Sequence, residues 1–196
     1  MSDRATGVVE PRENVREPLV WFVGKWWFWV PILPLVALDL WSKASVFAHL
    51  ESTQGHAPEG ARFVEVWTGV VKFELVQYRN TGTIWGLAKD FTSGLVVLRF
   101  VAMGVLVYIA ARTPSLQRFK QLVLGLIMAG AIGNLYDNLT QPYSAVRDFL
   151  EFSWVRDGVE VWSFPAFNVA DSCICVGAIT LAILLWREDA QRARAS

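Results

Sequence analysis

Hydrophobic residues along this chain gather into four long stretches parted by polar or alternating segments, and that spacing predicts helices that cross a membrane. The stretches cover residues 20–47, 94–111, 116–136 and 169–186. Each is close to the roughly 20 mostly apolar residues that an α-helix needs to span a bilayer core. The first carries Pro31 and Pro34, which would kink a soluble helix but are tolerated in a membrane, where neighbouring groups satisfy the freed carbonyls. Four spans in 196 residues leave no room for a separate soluble domain. The chain therefore reads as one membrane domain, residues 1–196, an all-α membrane protein folded as a four-transmembrane-helix bundle.

Residues 1–19 form a polar tail with Pro11 and Pro18 where a cleavable signal peptide would have its apolar core, so the first span is expected to act as the membrane-entry signal. Basic residues in short flanks set the orientation. Arg112, Arg118 and Lys120 ring the tight loop between the second and third spans, and Arg187, Arg192 and Arg194 follow the fourth in the tail 187–196. Both places read as cytoplasmic, and an even number of spans puts the amino terminus, with Arg4, Arg12, Arg16 and Lys25, on the same side. Segments 48–93 and 139–168 then face outward. The first contains FVEVWTGVVKFELVQY, in which Val71, Phe73 and Leu75 alternate with Lys72, Glu74 and Val76, and Thr68-Gly69 supplies a turn. That pattern predicts a small extracytoplasmic β-hairpin lying on the membrane surface. Trp67, Trp85, Trp154 and Trp162 suit the headgroup layer, or anchor loops.

Composition agrees. The chain is 54% hydrophobic and only 18% charged, with eighteen basic and eighteen acidic residues. High hydrophobicity excludes disorder as the main state. A zero balance argues against nucleic acid as a partner, because that partner needs a basic field. Cys173 and Cys175 lie two apart in an apolar run and read as small hydrophobic residues. Gly125, Ala129 and Gly133 recur every four residues in the third span, a spacing that lets membrane helices approach closely.

Chemistry enters with the carboxylates. An acid within or beside a span is costly and marks function by default. Asp39 is placed near the outer end of the first span, Asp137 near that of the third, Asp171 in the first turn of the fourth, and Asp148 beside Phe149 and Leu150 in an outer segment. Asn134 precedes Asp137 by three residues, and Asn168 precedes Asp171 by three. On a helix this spacing puts amide and carboxylate on one face, where the amide can orient the acid. Helix capping also accounts for Asn168 and Asp171, and polar closure of a helix accounts equally for Asp137. His49 and His56 lie in no HExxH pattern, and GxSxG, Rossmann and P-loop patterns are absent. Two aspartates sharing one proton remain: their repulsion raises one pKa and leaves an acid and a base to activate water.

These residues resemble lipoprotein signal peptidase, the signal peptidase II family. The resemblance runs through GAIGNLYD (Gly130 to Asp137), VRDF (Val146 to Phe149) and FNVAD (Phe167 to Asp171), with DLWSK (Asp39 to Lys43) and NTG (Asn80 to Gly82) as weaker pieces in the family's order. It implies a membrane aspartic endopeptidase that cleaves a diacylglyceryl-modified bacterial prolipoprotein just before the lipidated cysteine. No metal and no cofactor is implied. By motif position Asp148 and Asp171 correspond to the catalytic pair. Asn134 and Asn168 would hold the site, and Asp39, Lys43, Asn80, Gly82 and Asp137 would shape it. The outer hairpin resembles the family's β-cradle, and a helix near Trp85 and Phe91 would close over substrate. The implied setting is the bacterial cytoplasmic (inner) membrane, with membrane lipid around a monomer and the active site near the extracytoplasmic face.

Three departures stand out. Asn138 occupies the position where the family usually has arginine. Thr83, Ile84 and Trp85 replace the usual residues of the loop after Gly82, and Arg156, Asp157 and Glu160 add polarity between Asp148 and Asn168. Arg147 is a candidate replacement for the lost cation. A noncatalytic paralogue that binds lipoproteins, or a small proton- or cation-coupled transporter, are the alternative readings; the clustering of the acids near one face speaks against the transporter.

Overall fold

Four helices are long and apolar enough to cross a membrane, over Trp26–Ser52, Gly94–Arg112, Arg118–Thr140 and Val169–Arg194. The structure is a computed structural model that describes residues 24–54, 62–67, 70–81 and 92–195. The N-terminal tail, the Thr68-Gly69 turn, and Gly82, Thr83, Ile84, Trp85 and Phe91 lie outside the described residues. We label the helices α1 (Ile32–Gln54), α2 (Thr92–Arg112), α3 (Arg118–Thr140) and α4 (Val169–Ala195). A single helical turn, Trp26–Trp29, precedes α1, and the chain breaks at Val30 and Pro31. Pro34 falls in the first turn of α1, where its missing amide had no helical acceptor to lose.

The third helix is the central one. Of its most apolar window 67% is buried, against 11–17% for the others, whose apolar side chains such as Val97, Val101, Val176 and Ile183 stay exposed and suit lipid. The small residues of α3 are what let its neighbours close in. A Cβ added at Gly125 would stand 2.2 Å from the Phe28 carbonyl oxygen, one at Gly130 would stand 2.3 Å from the Ala170 oxygen, and one at Gly133 would stand 2.5 Å from Oδ2 of Asp39. Phe28, Leu106, Ala110, Leu124 and Met128 pack into the apolar core at the end of the bundle where α3 begins. There the ammonium of Lys25 meets the carbonyls of Ala110 and Ala111 at 2.9 Å each, and that of Thr113, closing the C-terminal end of α2. Lys120 bonds Glu188 at 2.9 Å and ties the start of α3 to the far end of α4.

The expected hairpin is half of a larger sheet. Strands β1 (Arg62–Trp67), β2 (Val71–Asn80), β3 (Val146–Arg156) and β4 (Val159–Phe167) form one antiparallel sheet in the order β1-β2-β3-β4. The segment after α3 thus folds onto the hairpin instead of looping. Its two strands turn at Asp157 and Gly158, with φ of +53° and +77°, the left-handed pair that an Asp-Gly hairpin turn requires. Of the extra polar residues of that segment, Asp157 is therefore turn chemistry, while Arg156 and Glu160 stand on the strands beside it. One sheet face is aromatic: Phe73 lies 4.8 Å from Phe152, and Trp154 pairs with Trp162 around a groove of about 350 Å³. Trp154, Trp162 and Phe164 remain about half exposed, a contiguous apolar patch of the kind that meets a membrane. The last turns of α1 brace the other side, where Glu51 accepts from Gln77 at 3.1 Å and Arg79 stacks 5.3 Å over Phe47.

Candidate active site

A polar cluster is built where the C-terminal end of α3, the N-terminal end of α4, the middle of α1 and the sheet meet. Asp39, expected near the end of its span, sits well inside it, because α1 runs on past Lys43 to Gln54. Asp39, Lys43, Asn134, Asp137, Asp148 and Asn168 are each at most 2% exposed. Buried charges on this scale persist only when paired and hydrogen-bonded, and each has partners.

Two cations hold the deeper acids. The Lys43 ammonium lies 2.7 Å from Asp39 and 3.3 Å from Asp137, and donates to Asn134 Oδ1 at 3.0 Å. The other oxygen of Asp39 accepts from the Ala170 amide at 2.8 Å, which fixes the start of α4 against α1. Arg147 grips Asp137 through Nε at 3.1 Å, Nη2 at 2.7 Å and its own backbone amide at 2.9 Å. Both side-chain nitrogens converge on Oδ1 while the backbone amide takes Oδ2, so each carboxylate oxygen accepts from Arg147. Asp137 is thus held fast, and Arg147 is engaged there.

Amides hold the other two acids. Asp148 stands on β3, its oxygens accepting from Asn168 Nδ2 at 2.7 Å and Asn80 Nδ2 at 3.0 Å. Asn80 reaches it because the β2–β3 register pairs Tyr78 with Asp148 and Asn80 with Val146, after a bulge between Leu75 and Tyr78 shifts the strand. Asp171 accepts from Asn134 Nδ2 at 2.7 Å and from the Asn168 backbone amide at 3.2 Å. Asn168 Oδ1 in turn accepts from the Asp171 amide at 2.9 Å, a reciprocal cap of the helix start. Capping and site-building therefore coincide in Asn168, and the amides cross between the sequence pairs: Asn134 serves Asp171, while the Asn168 side chain serves Asp148.

Asp148 and Asp171 line one small cavity with Asn80, Leu95, Arg99, Asn138 and Val146. Its volume is about 40 Å³, enough for a water molecule. Burial, and next the nearby charge of Asp171, push the Asp148 carboxyl up to about 7, against the opposing hydrogen bonds from Asn80 and Asn168. A carboxyl that keeps its proton near neutrality beside a second carboxylate can serve as acid while its neighbour serves as base.

Arg99 is the residue that sequence reasoning missed. It is the one charged residue in the apolar stretch 94–111, and a charge in a span faces protein by default, so the signal was present. Its Nη1 donates to the Asn134 carbonyl at 3.1 Å and to Asn138 Oδ1. Asn138 also donates to the Ser144 carbonyl and so holds the turn that leads into β3. Gly82 lies outside the described residues.

Known proteins resemble this chain in sequence and fold. The family model described as signal peptidase (SPase) II matches residues 32–187. A lipoprotein signal peptidase of Deinococcus radiodurans is 34% identical over 180 residues, which cover 90% of this chain and 85% of that protein. One from Streptococcus pyogenes serotype M5 is 34% identical over 162 residues, 83% of this chain and 94% of the other. A bacterial membrane enzyme solved by the in meso method at 2.3 Å shares the fold with a TM-score of 0.61 at 22% identity, covering 89% of this chain and 90% of its own. A second such structure, at 1.9 Å, gives 0.59 at 23% identity over 86% and 91%.

Proposed function

The chain belongs to the signal peptidase II family, and from that premise we propose that Asp148 and Asp171 are the pair with which it hydrolyses its substrate. It is a membrane aspartic peptidase that processes prolipoproteins. The observation that carries the assignment is the shared cavity: of the four buried or part-buried acids in the cluster, only these two line it. Asp39 and Asp137 are occupied by Lys43 and Arg147.

With one proton between the pair, the ionised carboxylate takes a proton from water while the water oxygen bonds to the scissile carbonyl carbon. The protonated carboxyl gives its proton to the carbonyl oxygen. Collapse breaks the C–N bond, and the departing nitrogen takes a proton, leaving a carboxylic acid and an amine, so that one water is consumed per bond cut. Asn80, Asn134 and Asn168 fix both carboxylates in place, and Lys43, Asp39, Asp137 and Arg147 tie α1 and α3 to the two elements, β3 and α4, that carry them. The reading requires no metal or cofactor.

The substrate is a diacylglyceryl-modified prolipoprotein, cut before its lipidated cysteine. The chain works as a monomer and a single membrane domain in the bacterial inner membrane, with both termini cytoplasmic and the cavity toward the outer face. The basic residues at the α2–α3 loop and after α4 support that orientation, and the aromatic sheet face suits the outer headgroup layer. Purified protein should cleave such a substrate in a gel-shift assay, and Asp148→Asn and Asp171→Asn should each lose about a thousandfold or more while unfolding at a temperature near that of the parent. Cleavage retained by either folded variant refutes the pair.

A further inference from the structure

We propose that Arg99 is the guanidinium that binds and polarises the scissile carbonyl at the Asp148–Asp171 pair. This rests on the assignment of that pair. Three guanidinium or ammonium groups approach the cluster, and two are engaged with deeper acids: Lys43 with Asp39 and Asp137, and Arg147 with Asp137 by a two-nitrogen fork. Arg99 alone of the three lines the cavity that Asp148 and Asp171 share. It forms no ion pair within 4.0 Å among the described residues; its Nη1 is held by the Asn134 carbonyl and Asn138 Oδ1, and its Nε and Nη2 make no hydrogen bond there. Two acceptors thus pin Nη1, while Nε and Nη2 of a side chain that lines the cavity stay without a hydrogen bond among the described residues.

Peptide carbonyls are what those donors fit. A preorganised donor in a part-buried site strengthens its hold as electron density moves onto the carbonyl oxygen during attack by water. Arg99 transfers no proton in this scheme; the proton from Asp148 or Asp171 still ends on that oxygen, and the guanidinium keeps its charge throughout. Asn138 then acts as a positioning residue, holding Arg99 with its oxygen and the Ser144 turn with its nitrogen.

The test measures kcat and KM for a diacylglyceryl-modified prolipoprotein with the parent, Arg99→Gln, Arg99→Lys and Arg99→Ala, beside Asp148→Asn and Asp171→Asn, with unfolding midpoints for all. Removing one such donor typically lowers kcat by about 100- to 1000-fold, so Arg99→Gln should fall in that range with KM within about threefold. Arg99→Lys should keep charge without the planar fork and lie between the two. Methylguanidinium added at millimolar concentration should raise the rate of Arg99→Ala at least about fivefold, which loss of a helix tie alone does not permit. Arg99→Gln cleaving at the parental rate while both aspartate variants are inactive overturns the role of Arg99 alone. A loss that follows the unfolding midpoint, without guanidinium rescue, also overturns it. Activity in either aspartate variant overturns the underlying pair.

Discussion

Replacing Gly130 by alanine sets a methyl carbon 2.3 Å from the Ala170 carbonyl oxygen and 2.7 Å from Cγ1 of Ile174. The obstruction is backbone, so no side-chain rotation relieves it. Restoring ordinary contact requires α3 and α4 to part by about 1 Å, since attractive contact between heavy atoms begins near 3.5 Å. Overpacking of this kind costs about 1–3 kcal/mol. The displaced residue precedes Asp171, and its amide is bonded to Asp39, so the shift falls on one carboxylate of the pair while Asp148 stays with the sheet. A misplacement on the order of 1 Å can cost about 100-fold in rate, which is the expected loss of cleavage. Gly125→Ala is the control, with a comparable clash at 2.2 Å against Phe28. It lies about 13 Å along the helix from Asn134, at about 1.5 Å per residue, and should lower the unfolding midpoint similarly while keeping the rate within about threefold. Cleavage of a lipidated prolipoprotein in micelles, with unfolding followed by tryptophan fluorescence, reads both quantities. Parental activity in Gly130→Ala, or equal rate losses in the two variants, refutes the geometry.

The pair also sets a pH profile: with Asp148 pushed up to about 7, kcat/KM should hold to about pH 7 and fall about tenfold per unit beyond as the last shared proton leaves, and a flat profile to pH 9 contradicts it. The same raised pKa means that the native chain keeps a proton that the unfolded chain releases between 3.8 and about 7; stability should therefore fall as pH rises through that window, and Asp148→Asn should flatten the slope measured by denaturant titration. Lys43→Met leaves Asp39 and Asp137 without their shared ammonium and should cost about 3–5 kcal/mol in the same titration; a change under about 1 kcal/mol would mean that the ion pairs contribute little. Lys25→Ala strips the cap from the end of α2 and should cost about 1–2 kcal/mol while leaving cleavage intact.

The bundle was legible because apolar length is a coarse property that survives any detail of packing. The Gly125, Ala129, Gly133 spacing marked a real contact face, whereas Pro31, read as tolerated within one continuous span, sits at a break between the Trp26–Trp29 turn and α1. Sheet pairing was less accessible. The link between β2 and β3 joins residues on either side of two helices, and no local pattern specifies such a partner, whereas Asp157-Gly158 carries a turn signal of its own. Within the site, the Asn-x-x-Asp spacing brought the right residue types to attention but suggested partners along one helix. That holds for the Asn168–Asp171 cap, but the side-chain amides donate across elements, Asn134 to Asp171 on α4 and Asn168 to Asp148 on β3, because Asn134 and Asn168 face each other at 3.1 Å. Arg99 carried a signal of its own, a lone charge in an apolar span, but with no spacing to tie it to the acids its partners stayed illegible.

Asn168 starts α4 and at the same time bridges to both cavity carboxylates. Asp148 precedes it and Asp171 follows it, so neither the acid pair nor its scaffold exists until the last span has been made and has coiled. A nascent chain with three spans in the bilayer already possesses Asp148, its strand and the Arg147 clamp, yet lacks the second carboxylate of the proposed pair. On the proposed assignment the site is thereby tied to synthesis of the fourth span, and a product truncated before residue 168 should not cleave.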